Sequence, residues 1–220
     1  MKTSTLTARV AAVQFKMLHI HFRAIKIHEE QERLNQQTFT DNRDKIKRMR
    51  NAAYSCIDMI ISMEHIVEVI NDLLATPELR NKFYRDIYVV LNASKKAAEQ
   101  WKPVRNRIGG HVCIEAVKEF CDKHNYRGVF LSDDLETDLG PLNILAIESA
   151  LNQARQSCDI FKRDLCLMEE MQLFVERLNQ DWGIALAYFE PIMEFLYRVG
   201  KAEKFAAVQA DDLKGIVIGS

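Results

Sequence analysis

Two runs of apolar residues at alternating steps of three and four open the chain, and this spacing marks one face of an α-helix. The runs predict two helices separated by a polar turn, NQQTFTDN, with Thr40 as the N-cap of the second helix. Because the turn is short, we expect a long antiparallel hairpin over residues 4–74. The first run comprises Leu6, Val10, Val13, Met17, Ile20, Ala24 and Ile27, and the second comprises Ile46, Met49, Ala53, Cys56, Ile60, Met63, Val67, Ile70 and Leu74.

Prolines mark the boundaries of two further helices. Thr76 as N-cap and Pro77 in the first turn predict the start of a third helix, which an apolar face carries to about Gln100. Pro103 marks the next boundary, and a shorter fourth helix is predicted over residues 112–124. The predicted buried face of the third helix comprises Leu79, Phe83, Ile87, Val90 and Ala97.

The last third of the chain begins with an irregular stretch. Residues 125–140 are acidic and rich in turn formers, which predicts a connector. After Pro141 the apolar pattern predicts one long helix to about Asn179. A last helix over residues 182–199 should be kinked at Pro191, since the pattern continues through that proline.

These patterns predict an all-α fold, an elongated bundle of about six helices with a long antiparallel N-terminal hairpin. The scarcity of glycine and proline, with 8 and 4 residues, agrees with helices rather than with a β fold of many turns. In this organisation residues 1–124 form the main bundle, residues 125–140 connect, and residues 141–220 add a helical pair that packs on the same bundle.

Composition narrows the classes of function. A hydrophobic content of 48% is ordinary for a globular protein. A net charge of −1 argues against broad affinity for nucleic acids or membranes. Arg9, Lys16 and Arg23 interrupt the N-terminal apolar runs, so neither a signal peptide nor a membrane-spanning helix is expected. The five cysteines lack CxxC spacing, which indicates reduced thiols and a cytoplasmic protein.

The stretch RNRIGGH, residues 105–111, holds the candidate chemistry. Two adjacent glycines are costly inside a helix, so Gly109 and Gly110 predict a break or a close backbone approach. In an unbroken helix Arg105 and His111 would face different ways, whereas a bend at the glycines would turn both side chains toward one pocket. His111 would then lie near the start of a helix, where free amide groups favour an anion.

This Arg-Asn-x4-His stretch resembles the motif of the HEPN superfamily of small helical bundles, with the surrounding helical context covering about residues 41–124. The resemblance implies a metal-independent endoribonuclease that acts at a homodimer interface in toxin or defence systems. It implies that His111 exchanges a proton with the ribose 2′-OH or the leaving oxygen, that Arg105 stabilises the phosphate charge, and that Asn106 orients the imidazole or binds a phosphate oxygen.

Further cations could bind the RNA backbone. Arg43, Lys47 and Arg50 share one face of the second helix, and Arg107 lies within the motif. The alternative for the first three is the solvated face of a long helix. A similar Arg…His spacing, shorter by one residue, also occurs at residues 23–28, without the asparagine or a helix boundary.

Three alternatives to an RNA-cleaving enzyme follow from the same residues. The motif could be structural, with Arg105 and Asn106 capping a neighbouring helix and His111 bonded to a carbonyl group. The bundle could be HEPN-like without activity. The chain could also be a non-enzymatic interaction or scaffold protein that assembles through the N-terminal hairpin. No cofactor or metal is expected, because the chain has no Glu-x-x-His and Cys121 and His124 have no partner pair.

Overall fold

The computed structural model describes residues 5–38, 41–81, 83–108, 118, 122, 135–155 and 160–202. In these ranges the protein is all-α, as predicted, and eight helices have described bounds, six of them with 14 residues or more. The helices are α1 (Thr5–Gln36), α2 (Asn42–Ala75), α3 (Pro77–Arg80), α4 (Arg85–Glu99), α5 (Lys102–Ile108), α6 (Leu135–Ala154), α7 (Leu167–Leu186) and α8 (Phe189–Ala202). Buried side chains of all eight form one continuous core.

Helices α1 and α2 form the predicted antiparallel hairpin. Lys16 in the first half of α1 pairs with Asp72 near the end of α2, and Asn35 at the end of α1 accepts a hydrogen bond from Arg48 near the start of α2. The N-cap of α2 is Asp41 rather than Thr40, because the Asp41 carboxylate accepts the backbone N–H of Asp44 at 2.8 Å. The predicted seam of α1 is buried at Val13, Met17, Ile20, Ala24 and Ile27.

Helix α2 is the central helix of the bundle and is buried on more sides than its predicted seam. It packs against α1 on one side and against α4, α5, α6 and α7 on others. Because of these neighbours its core includes positions outside the seam, which are Met59, Ile66, Val69 and Leu73. Of the seam itself, Val67 and Leu74 are half-buried, and the side chains of Ile46 and Met49 lie outside the described residues.

The predicted third helix is interrupted. Helix α3 ends at Arg80 and α4 begins at Arg85. Thr76 is the N-cap residue of α3 and Pro77 follows in its first turn, as predicted, but the Thr76 hydroxyl donates to the Asp72 carbonyl at 2.9 Å and makes no cap bond. The interruption costs little because the Arg80 carbonyl still accepts from Phe83 N, at 3.2 Å, and from the Tyr88 hydroxyl, at 2.9 Å. Leu79, Phe83 and Ile87 remain buried on both sides of the break.

The prediction of one long helix from Pro141 to about Asn179 is wrong. Helix α6 begins earlier, at Leu135, and ends at Ala154. Side chains of α6 bind the backbone at Leu165 and Leu167, where α7 begins. The Asn152 amide accepts from Leu165 N and donates to Leu165 O, both at 2.9 Å, and Glu148 accepts the N–H of Leu167 at 2.6 Å. These bonds satisfy backbone groups that would otherwise require a continuous helix.

The C-terminal helical pair is therefore three helices, and the connector predicted over residues 125–140 is helical from Leu135 onward. The predicted kink at Pro191 is a helix boundary instead. Helix α7 ends before Ala187, α8 begins at Phe189, and Pro191 lies in the first turn of α8, where its missing N–H breaks no bond. Of the predicted helix over residues 112–124, the structure describes only Lys118 and Asp122, and both are helical.

Candidate functional site

The start of α5 is fixed to α7 by a buried polar cluster. Trp101 is fully buried, and its indole Nε1 donates to Asp181 Oδ2 at 3.0 Å. Asp181 also accepts from Arg177 Nε at 2.8 Å, and Arg177 in turn donates to the side chain of Gln100 at 3.2 Å. The buried Asp181 carboxylate thus has both a charged and a neutral donor, which satisfies a group that would be costly to bury alone. This cluster positions the turn from which the motif helix starts.

One turn further along α5, Arg105 reaches back to α2. Its backbone N–H bonds to Trp101 O at 2.9 Å, and the buried side chain of Val104 holds the helix against the core. The guanidinium Nη1 forms an ion pair with Glu64 Oε2, with 22% of the Arg105 side chain and 37% of the Glu64 side chain exposed. The Arg105 Nε is buried and has no acceptor among the described residues. Arg105 therefore has hydrogen-bonding capacity that Glu64 does not use.

Arg105 lines a groove of about 200 Å³ between α2, α4 and α5. The groove carries three carboxylates against two cations, so its charge is slightly negative. Its ionisable residues are Glu64, Glu68, Glu99, Lys102 and Arg105. The sequence motif identified Arg105 as a candidate site residue but did not identify the glutamates. Glu64 meets Arg105 across 41 residues of chain, and no motif links the two.

Two further motif residues, Asn106 and Arg107, lie on the same helix as Arg105. Asn106 is exposed, and about 100° of rotation separates it from Arg105 on the helix surface. Arg107 Nη1 donates to the Pro103 carbonyl at 2.7 Å, so this predicted RNA ligand bonds to its own helix. His111 lies outside the described residues, as do Gly109 and Gly110 and the bend predicted there.

The basic residues predicted on α2 lie far from Arg105. Arg43 is exposed, whereas Lys47 and Arg50 are half-buried and line a second groove with Asp44, beside the turn between α1 and α2. Arg50 precedes Glu64 by 14 positions, which is about 21 Å along a helix. One RNA strand would have to span this distance to contact both groups, so the basic residues and Arg105 do not form one compact pocket.

The second Arg…His stretch, within α1, has a structural explanation. Arg23 Nη2 pairs with Asp58 of α2 at 3.1 Å, and His28 lies 3.2 Å from Glu32 on the same helix. Both are surface contacts, the first between α1 and α2 and the second within α1, which is unbroken from Thr5 to Gln36. The residue spacing alone therefore does not distinguish a catalytic motif from a helix surface.

Within the ranges that the structure describes, no three His, Cys, Asp or Glu side chains are arranged to hold a metal ion. Among the described helices, none combines the length and the hydropathy that crossing a membrane requires. No protein-family profile, curated protein or solved structure matches this chain.

Proposed function

We propose that the protein is an HEPN-like, metal-independent endoribonuclease in which Arg105, Asn106 and His111 act on the RNA backbone. The observation that carries this proposal is Arg105 itself. It lies in a groove, on a helix whose start is anchored by Trp101 and Asp181, and 22% of its side chain is exposed. An anchored and partly exposed guanidinium suits an anionic ligand.

In the proposed reaction the ribose 2′-oxygen attacks the adjacent phosphorus, and the P–O5′ bond breaks. His111 accepts the proton of the 2′-OH or donates one to the leaving 5′-oxygen, and water exchanges the other proton, so that the products are a 2′,3′-cyclic phosphate and a 5′-hydroxyl. Arg105 stabilises the negative charge that accumulates on the phosphate in the transition state. Asn106, exposed one position along, orients the imidazole or binds a phosphate oxygen.

The glutamates of the groove constrain how RNA could bind. Glu64, Glu68 and Glu99 repel a phosphate, while Lys102 and Arg105 attract it. Because Nη1 of Arg105 is held by Glu64 and Nε is buried, a phosphate would have to bind Nη2 or displace Glu64. The proposal places the protein in the reducing cytoplasm, in keeping with the free thiols of Cys56 and Cys166.

The test is cleavage of single-stranded RNA by the full chain in the presence of a metal chelator. Wild type should cleave, and Arg105→Ala and His111→Ala should each reduce the rate by about 100-fold or more with an unchanged helical circular dichroism signal. Lys96→Ala is the matched control, because it removes an exposed cation of α4 that does not line the groove. Wild type without cleavage, or variants as active as wild type, would reject the proposal.

A second candidate function, a non-enzymatic scaffold that assembles through the N-terminal hairpin, is favoured by a different observation. The side of α1 opposite its buried seam carries four apolar residues, which we call the outer stripe. Phe15, Phe22 and Ile25 are exposed and Leu18 is half-buried. Large exposed apolar patches commonly mark interaction sites. Self-association of the chain without RNA cleavage in the assay above would support the scaffold and reject the enzyme.

A further inference from the structure

The outer stripe of α1 has the spacing of a coiled-coil seam. Its four residues follow one another at steps of three, four and three, which are the core positions of a heptad repeat. Phe15 is 73% exposed, Phe22 is 62% exposed and Ile25 is 40% exposed. The seam that α1 buries against α2 contains Met17, Ile20 and Ala24 and lies on the opposite side of the helix. Helix α1 thus has two apolar faces, and the described helices bury one of them.

We propose that a second copy of this chain covers the outer stripe, with the two α1 helices antiparallel about a two-fold axis near Ile20. This inference rests on the surface of the scaffold candidate and not on RNA cleavage, since no residue of the outer stripe lines the Arg105 groove. Reversal about that axis pairs Phe15 with the partner's Ile25 and Leu18 with the partner's Phe22. Every layer then combines one aromatic and one aliphatic side chain, so the stripe is complementary to itself.

Charge selects the antiparallel orientation. Glu29 is exposed and continues the spacing of the outer stripe one step beyond Ile25. In a parallel pair the two Glu29 carboxylates would face each other across the seam, which is destabilising. In the antiparallel pair Glu29 lies opposite the partner's Ala11, which is small and exposed in the isolated chain.

The size of the stripe predicts a weak dimer. Its ten residue steps span about 15 Å of helix, or roughly three turns. Such an interface falls below the approximately 1,200 Å² of standard stable complexes. We therefore expect a reversible dimer with a dissociation constant on the order of 10 µM.

Sedimentation velocity of the full chain from about 1 to 300 µM tests the dimer. Wild type should shift from monomer to dimer across this range. Phe22→Glu, which places a charge in the seam, should weaken association about 100-fold. Tyr197→Glu is the matched control, because Tyr197 is an equally exposed aromatic residue of α8, 71% exposed, outside the outer stripe. A wild type that is monomeric throughout, or a control that dissociates as much as Phe22→Glu, would overturn the proposal.

A mixing experiment tests the orientation. Leu18→Lys and Phe22→Glu should each associate poorly alone, and an equal mixture of the two should recover association by at least about 10-fold. Only the antiparallel pair places the introduced lysine opposite the introduced glutamate. A mixture no stronger than either variant alone would overturn the antiparallel arrangement.

The dimer and the enzyme can be judged separately. Arg105→Ala should sediment as wild type does at every concentration, because Arg105 is remote in sequence and does not belong to the outer stripe. Loss of self-association in Arg105→Ala would show that the interface lies elsewhere and would reject the outer stripe as the dimer surface.

Discussion

Helices α1 and α5 form for different reasons. Helix α1 has 32 residues, enough for its own apolar periodicity and hydrogen bonds to define it before it packs. Helix α5 has seven residues, which is too short for a stable helix in isolation. It is held by Trp101 against Asp181, by Val104 in the core and by the ion pair of Arg105 with Glu64. The motif helix is therefore a product of the tertiary structure, and its geometry depends on residues distant in sequence.

The largest expected effect lies on the buried face of α1. Met17→Ala removes a fully buried side chain and should lower the free energy of unfolding by about 3 to 4 kcal/mol. Phe22→Ala, on the exposed face of the same helix, should change the stability of the monomer by less than about 0.5 kcal/mol. Urea denaturation at a concentration well below that of dimer formation measures both. Equal losses for the two variants would contradict the assignment of the two faces.

The next effect concerns the anchor of α5. Asp181→Ala leaves the Trp101 indole N–H and the Arg177 guanidinium without their shared acceptor, and should cost about 3 kcal/mol. Asp86→Ala, an exposed aspartate in the first turn of α4, is the control and should cost less than about 1 kcal/mol. Hydrogen exchange at the Arg105 amide, which bonds to Trp101 O, should accelerate in Asp181→Ala and not in the control. Unchanged exchange would show that Asp181 does not support α5.

A smaller effect on stability is expected at high pH, through the Cys56 thiol in the core of the hairpin. Burial raises the pKa of the Cys56 thiol from its ordinary 9.0 to about 12. The contribution of the protonated Cys56 thiol to the free energy of unfolding is therefore fully present below the pKa of the thiol in the unfolded chain. It is lost as pH rises above about 9, because ionisation of the thiol then stabilises the unfolded chain. Between pH 8 and pH 10 wild type should lose about 1 kcal/mol more than Cys56→Ala does. Parallel pH profiles for the two proteins would contradict this.

The smallest expected effect on stability is that of the ion pair in the Arg105 groove. The ion pair of Arg105 and Glu64 is partly exposed, so Glu64→Ala should cost about 1 kcal/mol or less. A double-mutant cycle with Arg105→Ala isolates the coupling, which should be about 0.5 to 1 kcal/mol. A coupling of zero would mean that solvent, rather than Glu64, holds the guanidinium in solution.

The sequence predicted the long hairpin because each of its helices carries an uninterrupted apolar repeat. It did not predict the breaks between α3 and α4, between α6 and α7 and between α7 and α8, because apolar residues keep helical spacing across all three. At the first two breaks, freed backbone groups bond to side chains that a periodic pattern does not contain. Asn152 and Glu148 supply such partners for Leu165 and Leu167, and Tyr88 supplies one for Arg80.

In the candidate site, too, local sequence patterns predicted some residues, whereas others are defined by contacts between distant parts of the chain. Arg105 and Asn106 were found from local motif spacing, and the structure places them on α5 with Arg105 in a groove. Glu64 and Asp181 could not be found, because their roles arise from contacts across 41 and 80 residues of chain. The second Arg…His stretch has a similar spacing, and its two residues make surface contacts, Arg23 with Asp58 of α2 and His28 with Glu32 of α1.

By itself the sequence determined the all-α class and the pairing of α1 with α2, because helix periodicity and a short turn are local properties of the chain. Only the tertiary structure decided that α2 is the central helix, that α1 buries one of its two apolar faces, and that Arg105 is held by a glutamate. These outcomes depend on which surfaces compete for burial and on which charges are brought together. Both are set by the packing of all the helices at once.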